Sequence, residues 1–426
     1  MSACDCDDIS YEQSCDDGQK LIPIDEALTL LLNNAEPITE IEKLPLIEAQ
    51  GRILAEGLSS TIDVPPHNNS SMDGYAVRSA DLADSSEKLL PISQRIPAGV
   101  MGSELKAGTA ARIFTGAPIP AGADAVVMQE VCTLVDEGES KGIGSAVKIT
   151  GPVPAGKNIR NAGEDIKTGD TILKAGIKLK PQNIGLAASV GIGEVSVYKR
   201  LRVGIFFTGD ELREPGETLE AGQIYNSNRH TMRGLLENLN CEIIDLGTVE
   251  DTLEATKIAM LKAAEQSDLI MTSGGVSVGE EDYIRIALEE IGQLDMWRIN
   301  IKPGKPLAFG KVGNTPFLGM PGNPVSVFVT FCVFARPFIL QKQGASEIKA
   351  NSFMVPAAFE WAKAGKRHEY VRARAEGGII KIFPHQGSGV LTSTSWANGL
   401  AIIPADTTIQ TKDMIEFIPF SELSVY

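Results

Sequence analysis

Asp268-Leu269-Ile270-Met271-Thr272-Ser273-Gly274-Gly275, continued by Val276-Ser277-Val278-Gly279-Glu280-Glu281-Asp282, is the stretch that decides the fold of this chain. Residues 269–271 are a short apolar run, as expected of a parallel strand buried on both faces. A helix pattern follows, because Ile284, Ala287, Leu288 and Ile291 recur at the spacing of one helical face. A strand, a glycine turn and a helix in that order leave backbone N–H groups open to a phosphate or another oxyanion. A lone Gly-Gly turn is more often a packing device, so the interpretation depends on the neighbouring loops.

The same alternation of strand and helix extends on both sides of this stretch. Apolar runs predict strands at residues 203–207, 242–246, 269–272, 297–301 and 316–318, with a short one at 307–309. Apolar stripes predict helices at residues 229–239, 252–266, 283–291 and 324–340. Such alternation is typical of a doubly wound α/β domain built on a parallel sheet, which we predict over residues 181–345.

Unusual side chains collect where these predicted strands end. The loops are Thr208-Gly209-Asp210-Glu211, Gly247-Thr248-Val249-Glu250-Asp251, the Gly274 loop with Asp282, Lys302-Pro303-Gly304-Lys305-Pro306 and Gly319-Met320-Pro321-Gly322-Asn323-Pro324. Ligands of open α/β sheets bind beyond the carboxyl ends of the strands. Lysines and open N–H groups suit an anion, and carboxylates at the same place need a hard cation such as Mg²⁺ to bridge them to it. The sequence therefore predicts a functional site at this edge.

Two common kinds of site are disfavoured by the motifs. The chain has no Gly-x-x-x-x-Gly-Lys-Ser/Thr and no Gly-x-Gly-x-x-Gly after a strand, which argues against ordinary nucleotide and dinucleotide sites. It has four histidines and no paired-histidine motif, which argues against a zinc hydrolase.

Composition bounds the class of protein. A chain of 426 residues, 43% of them hydrophobic, predicts a globular protein of about two to four domains. The net charge of −16 argues against non-specific binding to nucleic acid or to an anionic membrane. Cys4, Cys6 and Cys15 lie with six carboxylates in residues 1–20, which we predict to be a disordered, reduced acidic tail. The start shows no signal-peptide pattern, and the apolar run at 325–340 is too short to span a bilayer. These features predict a cytoplasmic protein.

The regions outside the α/β pattern are mostly β-rich. Residues 21–36 are predicted to form a helix that Asp25 caps and that packs on the α/β domain. Short apolar runs broken by Gly and Pro predict β structure from about residue 38 to residue 180. A similar pattern over residues 346–426 predicts a small C-terminal β-barrel.

Taken with two motifs of the β-rich region, the loops resemble the molybdopterin molybdenumtransferase family, which includes the E domain of gephyrin. The resemblance runs from about Pro23 to the C-terminus. The segments that carry it are Ser71-Met72-Asp73-Gly74-Tyr75-Ala76, Thr115-Gly116-Ala117-Pro118-Ile119-Pro120, Gly163-Glu164-Asp165, Thr208-Gly209-Asp210-Glu211-Leu212, Ser273-Gly274-Gly275-Val276-Ser277-Val278-Gly279, Lys302-Pro303-Gly304-Lys305-Pro306, Pro321-Gly322-Asn323-Pro324-Val325-Ser326 and His385-Gln386-Gly387-Ser388. The Asp73 and Thr115 motifs separate this family from other molybdopterin-binding proteins, which share the glycine loop.

The resemblance implies an architecture and an activity. It implies an elongated homodimer of four subdomains: β-rich subdomain I (37–62 and 156–180), β-rich subdomain II (63–155), the α/β domain, which would bind molybdopterin, and the C-terminal barrel. It also implies that adenylylated molybdopterin is cleaved with Mg²⁺ and that molybdate is inserted into the dithiolene. The adenylyltransferase of the pathway and apo-molybdoenzymes are the protein partners compatible with this role.

The resemblance also implies roles for individual residues. The catalytic residues would be Asp73, Thr115, Glu211, Asp251 and Asp282, with Glu211, Asp251 and Asp282 as metal ligands. The substrate-binding residues would be Ser273, Gly274, Gly275, Ser277, Arg298, Lys302, Lys305, Pro321, Gly322, Asn323, Pro324, Arg372 and Ser388. Two alternatives stay open: a non-catalytic molybdopterin scaffold or carrier, and the molybdopterin adenylyltransferase of the same pathway, which would need only the α/β domain.

Overall fold

The computed structural model describes residues 21–84, 86–135, 145–276 and 283–423. The acidic tail (1–20) and two predicted site residues, Ser277 and Asp282, lie outside the described residues.

Short β-strands dominate the first 200 residues. In chain order the elements are helix α1 (Ile24–Asn33), strands β1 (Ile41–Pro45), β2 (Leu58–Ser59), β3 (Asn69–Ser70), β4 (Gly74–Val77), β5 (Glu87–Ile96), β6 (Ala110–Ile113), β7 (Ala125–Met128), β8 (Thr133–Val135), β9 (Ala146–Thr150), β10 (Ile159–Arg160) and β11 (Thr171–Leu173), helix α2 (Pro181–Ser189) and strand β12 (Glu194–Tyr198). Six of the strands form one sheet in the order β7-β4-β6-β5-β9-β8. Alternate residues of β4 enter two apolar cores, Tyr75 on one face and Ala76 on the other.

A second core in this half joins two distant pieces of chain. Strand β1 pairs with β12, and β2 pairs with β11. Leu54 packs there with Ala187 of α2 and Val197 of β12. Because α2 and β12 bury their apolar side chains here, the α/β domain begins near residue 200, not at the expected residue 181.

The α/β domain has helices on both faces of a six-stranded sheet. Its elements are β13 (Arg202–Thr208), β14 (Leu212–Arg213), β15 (Ile224–Tyr225), α3 (Ser227–Asn238), β16 (Glu242–Val249), α4 (Leu253–Gln266), β17 (Leu269–Ser273), α5 (Tyr283–Ile291), β18 (Gly292–Arg298), β19 (Ile301–Lys302), β20 (Pro306–Val312), β21 (Thr315–Met320), α6 (Pro324–Thr330) and α7 (Arg336–Lys342). The strand order is β16-β13-β17-β21-β20-β18. The doubly wound architecture is thus as predicted, but the sheet is mixed, because β20 runs antiparallel to both neighbours.

The helices divide between the two faces as their apolar stripes predict. Helices α1, α3, α6 and α7 share one core with the inward side of β13, and α4 and α5 share the other core around Phe206. Helix α1 buries Ala27 and Leu31 in the first core. Its expected cap is wrong: Pro23 is the N-cap residue without a side-chain hydrogen bond, and Asp25 lies in the first turn.

The predicted strand at 297–301 is divided between two sheets. Strand β18 starts at Gly292 and ends at Arg298, whereas β19 pairs with the C-terminal domain at His368 and Glu369. The chain leaves the α/β sheet at Ile299, whose N–H donates to Lys305 O at 3.0 Å. The loop that carries Lys302 therefore lies between two domains.

A long apolar helix follows β21. It runs through α6, a π-helical turn (Phe331–Ala335) and α7. The wider turn accommodates Pro337, which lacks the N–H that a regular α-helix needs. Residues 324–342 are long and apolar enough to cross a membrane, but 83% of that window is buried inside the fold, as in the core helix of a globular protein.

The C-terminal domain is the small barrel that the sequence predicted. Its elements are β22 (Phe353–Pro356), β23 (His368–Glu376), β24 (Ile379–Ile382), α8 (Thr392–Trp396), β25 (Gly399–Ile403) and β26 (Met414–Pro419). Strands β24, β23, β25, β26 and β22 follow one another, and a bridge between Ala357 and Ile380 closes the ring. Val371 and Phe417 are buried inside it.

Candidate functional site at the carboxyl edge of the sheet

Three of the predicted loops begin side by side. Phe207 of β13 pairs with Ser273 of β17, and Ser273 pairs with Met320 of β21. Gly274 N donates to Met320 O at 3.2 Å. The Glu211 loop, the glycine loop and the Pro321–Pro324 segment (321–324) therefore share one edge, as the sequence predicts.

One side chain that no sequence motif indicates joins these loops. Asn228, in the first turn of α3, donates from Nδ2 to Ser273 Oγ at 2.8 Å and to Gly322 O at 2.7 Å. The buried Ser273 hydroxyl in turn donates to Pro321 O at 3.0 Å. Asn228 Oδ1 is buried without a partner among the described residues. Because the Gly322 carbonyl can only accept, the orientation of the amide is fixed, and Oδ1 is left as an acceptor for a ligand or for an undescribed group.

Glycine is required at both positions of the loop for steric reasons. Gly274 and Gly275 have φ values of 97° and 61°. A Cβ on Gly274 would lie 3.1 Å from Thr208 O, and one on Gly275 would lie 2.8 Å from Ile284 Cγ1. The β13 backbone at Gly274 and the Ile284 side chain of α5 at Gly275 thus leave no room for a side chain, and both φ values lie in the region that favours glycine.

The carboxylates occupy the ends of two neighbouring strands. Glu211 follows β13 and is exposed; Asp251 follows β16 and is half-buried. The two strands pair at Thr208 and Val249. Within the described ranges no group of three or more His, Cys, Asp or Glu is arranged to hold a metal. Of the three residues predicted as metal ligands, Glu211 and Asp251 lie in the described part of the chain and Asp282 lies outside it.

The basic loop between β18 and β20 lies at the same edge. Strand β18 runs in the direction of β21, and its last residue, Arg298, pairs with Pro306 at the start of β20. Lys302 Nζ lies 3.5 Å from the buried Glu369 carboxylate of the barrel. A Cβ on Gly304 would lie 2.5 Å from Thr330 Cγ2, so the loop packs tightly on α6. Lys305 is half-buried beside it.

The barrel contributes a loop to this edge. Val325 N, at the start of α6, donates to Ser388 O at 3.0 Å, so Ser388 lies beside the 321–324 segment. Arg372 is only 1% exposed, and it donates to Gly387 O and Ser393 Oγ, each at 3.1 Å. Burial lowers the pKa of Arg372 to about 10. Arg372 therefore holds the Ser388 loop in place and does not extend from the edge itself.

Asp73 and Thr115 contact each other, but they lie beside strands β4 and β6 of the N-terminal β-sheet. Asp73 Oδ1 accepts from Thr115 N at 2.8 Å and from Thr115 Oγ1 at 2.9 Å. These two donors hold the pKa of the Asp73 carboxyl below its ordinary value. The Arg112 guanidinium lies next to the pair, 4.8 Å from the Phe114 ring centroid.

An ion-pair network that the sequence did not indicate lies behind the loops that carry Glu211 and Asp251. Arg229 Nε donates to Asp245 Oδ2 at 3.0 Å, and Arg229 Nη1 donates to Glu214 Oε1 at 2.7 Å. Arg233 Nη1 reaches the same Asp245 oxygen at 3.1 Å. The network fixes the start of α3, and with it Asn228, against β16. The only sequence signal was Asn226-Ser227-Asn228-Arg229 before a helix stripe, since Asn226 caps α3 by accepting from Arg229 N.

A cavity of about 950 Å³ opens at the opposite, amino edge of the sheet. Its charged groups are largely paired: Lys199 Nζ lies 2.8 Å from Glu40, and Arg202 Nη2 lies 2.7 Å from Asp268. This cavity is a polar junction between domains, distinct from the predicted site.

Comparisons with known proteins agree with this division. Three family models match along the chain: the MoeA N-terminal region (domain I and II) over residues 22–191, a probable molybdopterin binding domain over 204–341, and the MoeA C-terminal region (domain IV) over 354–420. The second match begins after β12, where the described cores also change.

Similar proteins cover nearly the whole chain. The molybdopterin molybdenumtransferase of Haemophilus influenzae is 40% identical over 411 residues, which are 95% of this chain and 100% of the relative. Gephyrin of Dictyostelium discoideum is 33% identical over 90% of this chain and 60% of its own length. A crystal structure of the molybdopterin biosynthesis MoeA protein of Pyrococcus horikoshii superimposes with a TM-score of 0.82 at 31% identity, covering 94% of this chain and 100% of that one. The chain therefore belongs to the MoeA family, the family of the molybdopterin molybdenumtransferases.

Proposed function

We propose that this protein cleaves adenylylated molybdopterin and inserts molybdate into its dithiolene, giving molybdenum cofactor. The observation that carries the proposal is the carboxyl edge of the sheet, which combines the Asn228 acceptor without a partner among the described residues, the open glycine loop, two lysines and the carboxylates of Glu211 and Asp251. The name of the Haemophilus influenzae relative supports the same activity, because the two chains align over 95% of this one.

Different polar groups of this edge suit different parts of the substrate, the pterin and the anionic groups. Asn228 Oδ1 can accept from an N–H group of the pterin, and the backbone of residues 273–275 and 321–324 borders it. Lys302 and Lys305 hold molybdate or the terminal phosphate, and the Glu369 carboxylate orients the Lys302 ammonium. Arg298 at the end of β18 and the Ser388 loop of the barrel complete the part of the site that binds molybdate or the terminal phosphate.

The carboxylates suit the cleavage step. Magnesium usually binds proteins through one or two carboxylates and leaves its other positions to water and substrate phosphates, so Glu211 and Asp251, with Asp282 outside the described residues, fit as its ligands. Bound there, Mg²⁺ would supply neutralisation of the phosphate charge. A carboxylate not engaged by the ion orients the water that attacks phosphorus; the phosphoanhydride bond breaks and AMP leaves.

The remaining predicted residues act from a second subunit. The hydrogen bonds of Asp73 and Thr115 stay within the β-rich sheet, so in a homodimer this pair would complete the partner's cleft. The substrate would come from the adenylyltransferase, and the product would go to apo-molybdoenzymes. The described cysteines Cys132, Cys241 and Cys332 are free thiols, which suits the reducing cytoplasm.

The test supplies purified protein with adenylylated molybdopterin, Mg²⁺ and molybdate. We expect AMP release together with activation of an apo-molybdoenzyme, and loss of both in EDTA. A matched pair of variants localises the site: Lys305→Gln lies at the carboxyl edge and should impair turnover, whereas the exposed Lys311 lies at the far end of β20, so Lys311→Gln should not.

The alternatives give different results in the same assay. Tight binding of molybdopterin with no AMP release would identify a carrier. Formation of adenylylated molybdopterin from ATP would identify an adenylyltransferase. Either result would contradict the proposal.

A further inference from the structure

Three parts of the chain surround a second cavity of about 520 Å³, which none of the predicted site residues lines. Its walls come from residues 176–183 of the N-terminal half, from α7 with the end of α3, and from residues 345–351 with 421–422 of the C-terminal part. We call it the junction cavity.

Direct contacts fix these walls to one another. Ser346 N donates to Gly176 O at 2.8 Å, and Gln343 Nε2 donates to Leu239 O at 2.8 Å. A Cβ on Gly176 would lie only 3.0 Å from Ser346 Cβ. The cavity is therefore a built feature of the fold, since hydrogen bonds and close backbone packing hold its walls together.

Positive charge predominates in the junction cavity. Lys178, Lys180, Arg336 and Lys349 line it, against Glu347 and Glu422. The Glu422 carboxylate already accepts from Asn351, at 2.9 Å from Nδ2 and 3.3 Å from the backbone N. An excess of cations stands out in a chain whose net charge is −16.

Arg336 is the deepest of these cations. It is 7% exposed, and Nη1 donates to Ile348 O at 2.9 Å. Its Nε is buried and has no partner within the described ranges. The Nε–Nη2 edge that remains is the one with which a guanidinium binds a phosphate by two parallel hydrogen bonds.

Lys178 lies near enough for the two cations to repel each other. Its Nζ lies 3.3 Å from Asn238 O, at the end of α3. Burial lowers the pKa of Lys178, and the charge of Arg336 lowers it further; burial also lowers the pKa of Arg336. An anion between them would offset both effects.

We propose that the junction cavity binds a small phosphate-bearing anion between Arg336 Nε and Lys178 Nζ, with Lys180 and Lys349 at its rim. The anion would contact all three parts of the chain and so strengthen their fixed arrangement. The proposal does not depend on the proposed activity, because its groups are separate from the carboxyl edge.

Inorganic pyrophosphate is the probe, titrated calorimetrically into the full-length protein at low ionic strength. The double variant Lys178→Met/Lys180→Gln should weaken the binding of pyrophosphate in the junction cavity, here called the junction component, by about tenfold or more. Lys174→Gln is the matched control, since Lys174 lies in the same turn region but does not line the cavity. Lys305→Gln should weaken any binding of pyrophosphate at the carboxyl edge and leave the junction component intact, so it distinguishes the two sites.

Two further measurements keep the test decisive if the double variant folds poorly. The exposed Lys180→Gln alone should weaken binding, and Lys180→Arg should retain it. In wild type, pyrophosphate should slow hydrogen exchange in residues 176–183 and 345–351. Equal binding by the Lys178/Lys180 variants and by Lys174→Gln would overturn the proposal, as would the absence of any pyrophosphate binding that survives Lys305→Gln.

Discussion

Asp73 shares its Oδ1 between the backbone N–H and the hydroxyl of Thr115, and Asp63 binds Thr168 in the same way at 2.8 and 3.0 Å. The arrangement itself is therefore a general turn device of this chain. What distinguishes Asp73 is its place beside Arg112 and its proposed position across a subunit interface. The sequence identified Asp73 and Thr115 separately; their mutual contact bridges 42 residues, and no local pattern encodes it.

This pair gives a pH prediction at the scale of one residue. Thr115→Val keeps the backbone donor but removes the hydroxyl, so the pKa of Asp73 should rise toward its ordinary value. A carboxylate with a lowered pKa is lost only when the pH falls through that pKa, so the acid limb of the pH–rate profile should move to higher pH in the variant.

Carbon-13 NMR of the Asp73 carboxyl and the pH dependence of AMP release would measure the shift. Thr168→Val makes the same change at Asp63 and should leave the pH–rate profile unmoved. Equal profiles for wild type and Thr115→Val would show that Asp73 does not control the acid limb.

Asn228 gives a second prediction at this scale. Asn228→Ala removes the donor that joins Ser273 to Gly322, which should cost about 1–3 kcal/mol of unfolding free energy. It should also raise KM, since the acceptor proposed for the pterin is lost. The matched control is Asn34→Ala at the end of α1; the exposed side-chain amide of Asn34 donates to Leu30 O, and its loss should change stability by less than about 0.5 kcal/mol. Urea unfolding and steady-state kinetics measure both effects, and an unchanged KM would remove Asn228 from the pterin site.

At the scale of elements, hydrophobic periodicity predicted the helices, because the packing of one apolar face decides where a helix forms. The helices at 229–239, 252–266 and 283–291 were predicted within two residues of α3, α4 and α5, because each buries a continuous apolar stripe. The strand at 297–301 was misplaced, since pairing with β20 and with the barrel decides where β18 ends. The antiparallel direction of β20 was also missed, because a short apolar run carries no information about strand direction.

The link between α3 and β16 gives a prediction at this scale. Burial alone would raise the pKa of Asp245, but hydrogen bonds from Arg229, Gly247 and Arg233 outweigh it and hold the pKa below its ordinary value. The stability that this carboxylate contributes is therefore present above the pKa of the unfolded chain and is lost as the pH falls through the folded pKa.

Asp245→Asn should therefore lower the unfolding free energy by about 1–3 kcal/mol at pH 7, and the difference from wild type should shrink as the pH drops below about 4. Glu265→Gln, an exposed carboxylate on α4, is the control and should change little at either pH. Denaturant unfolding at several pH values measures the difference, and a penalty that persists undiminished in acid would mean that charge is not its cause.

At the scale of the whole molecule, the family motifs predicted which loops lie together at one edge of the sheet. Gly274, Pro321 and Ser388 do meet at one edge, because strand ends and one barrel loop converge there. Arg372 was predicted to bind the substrate; its side chain is buried and donates to Gly387 O beside Ser388. The assignment of α2 and β12 to the first subdomain depends on contacts with residues far earlier in the chain, such as Glu42 opposite Val197, and no local pattern predicts such contacts.

The last prediction concerns a cleft shared between two copies of this chain. Asp73→Asn removes a residue of the β-rich sheet, and Glu211→Gln removes an exposed carboxylate of the α/β edge; each alone should abolish most turnover. When the two variants exchange subunits at equal amounts, about half of the dimers are mixed. If each cleft takes Asp73 from one subunit and Glu211 from the other, a mixed dimer has one native cleft and one doubly damaged cleft, so activity should recover to about a quarter of wild type. If both residues serve the same subunit's cleft, every cleft keeps one lesion and mixing restores nothing.

The measurement is AMP release after the two variants are refolded together and heterodimers are verified by mass. A verified heterodimer without activity is incompatible with a shared cleft.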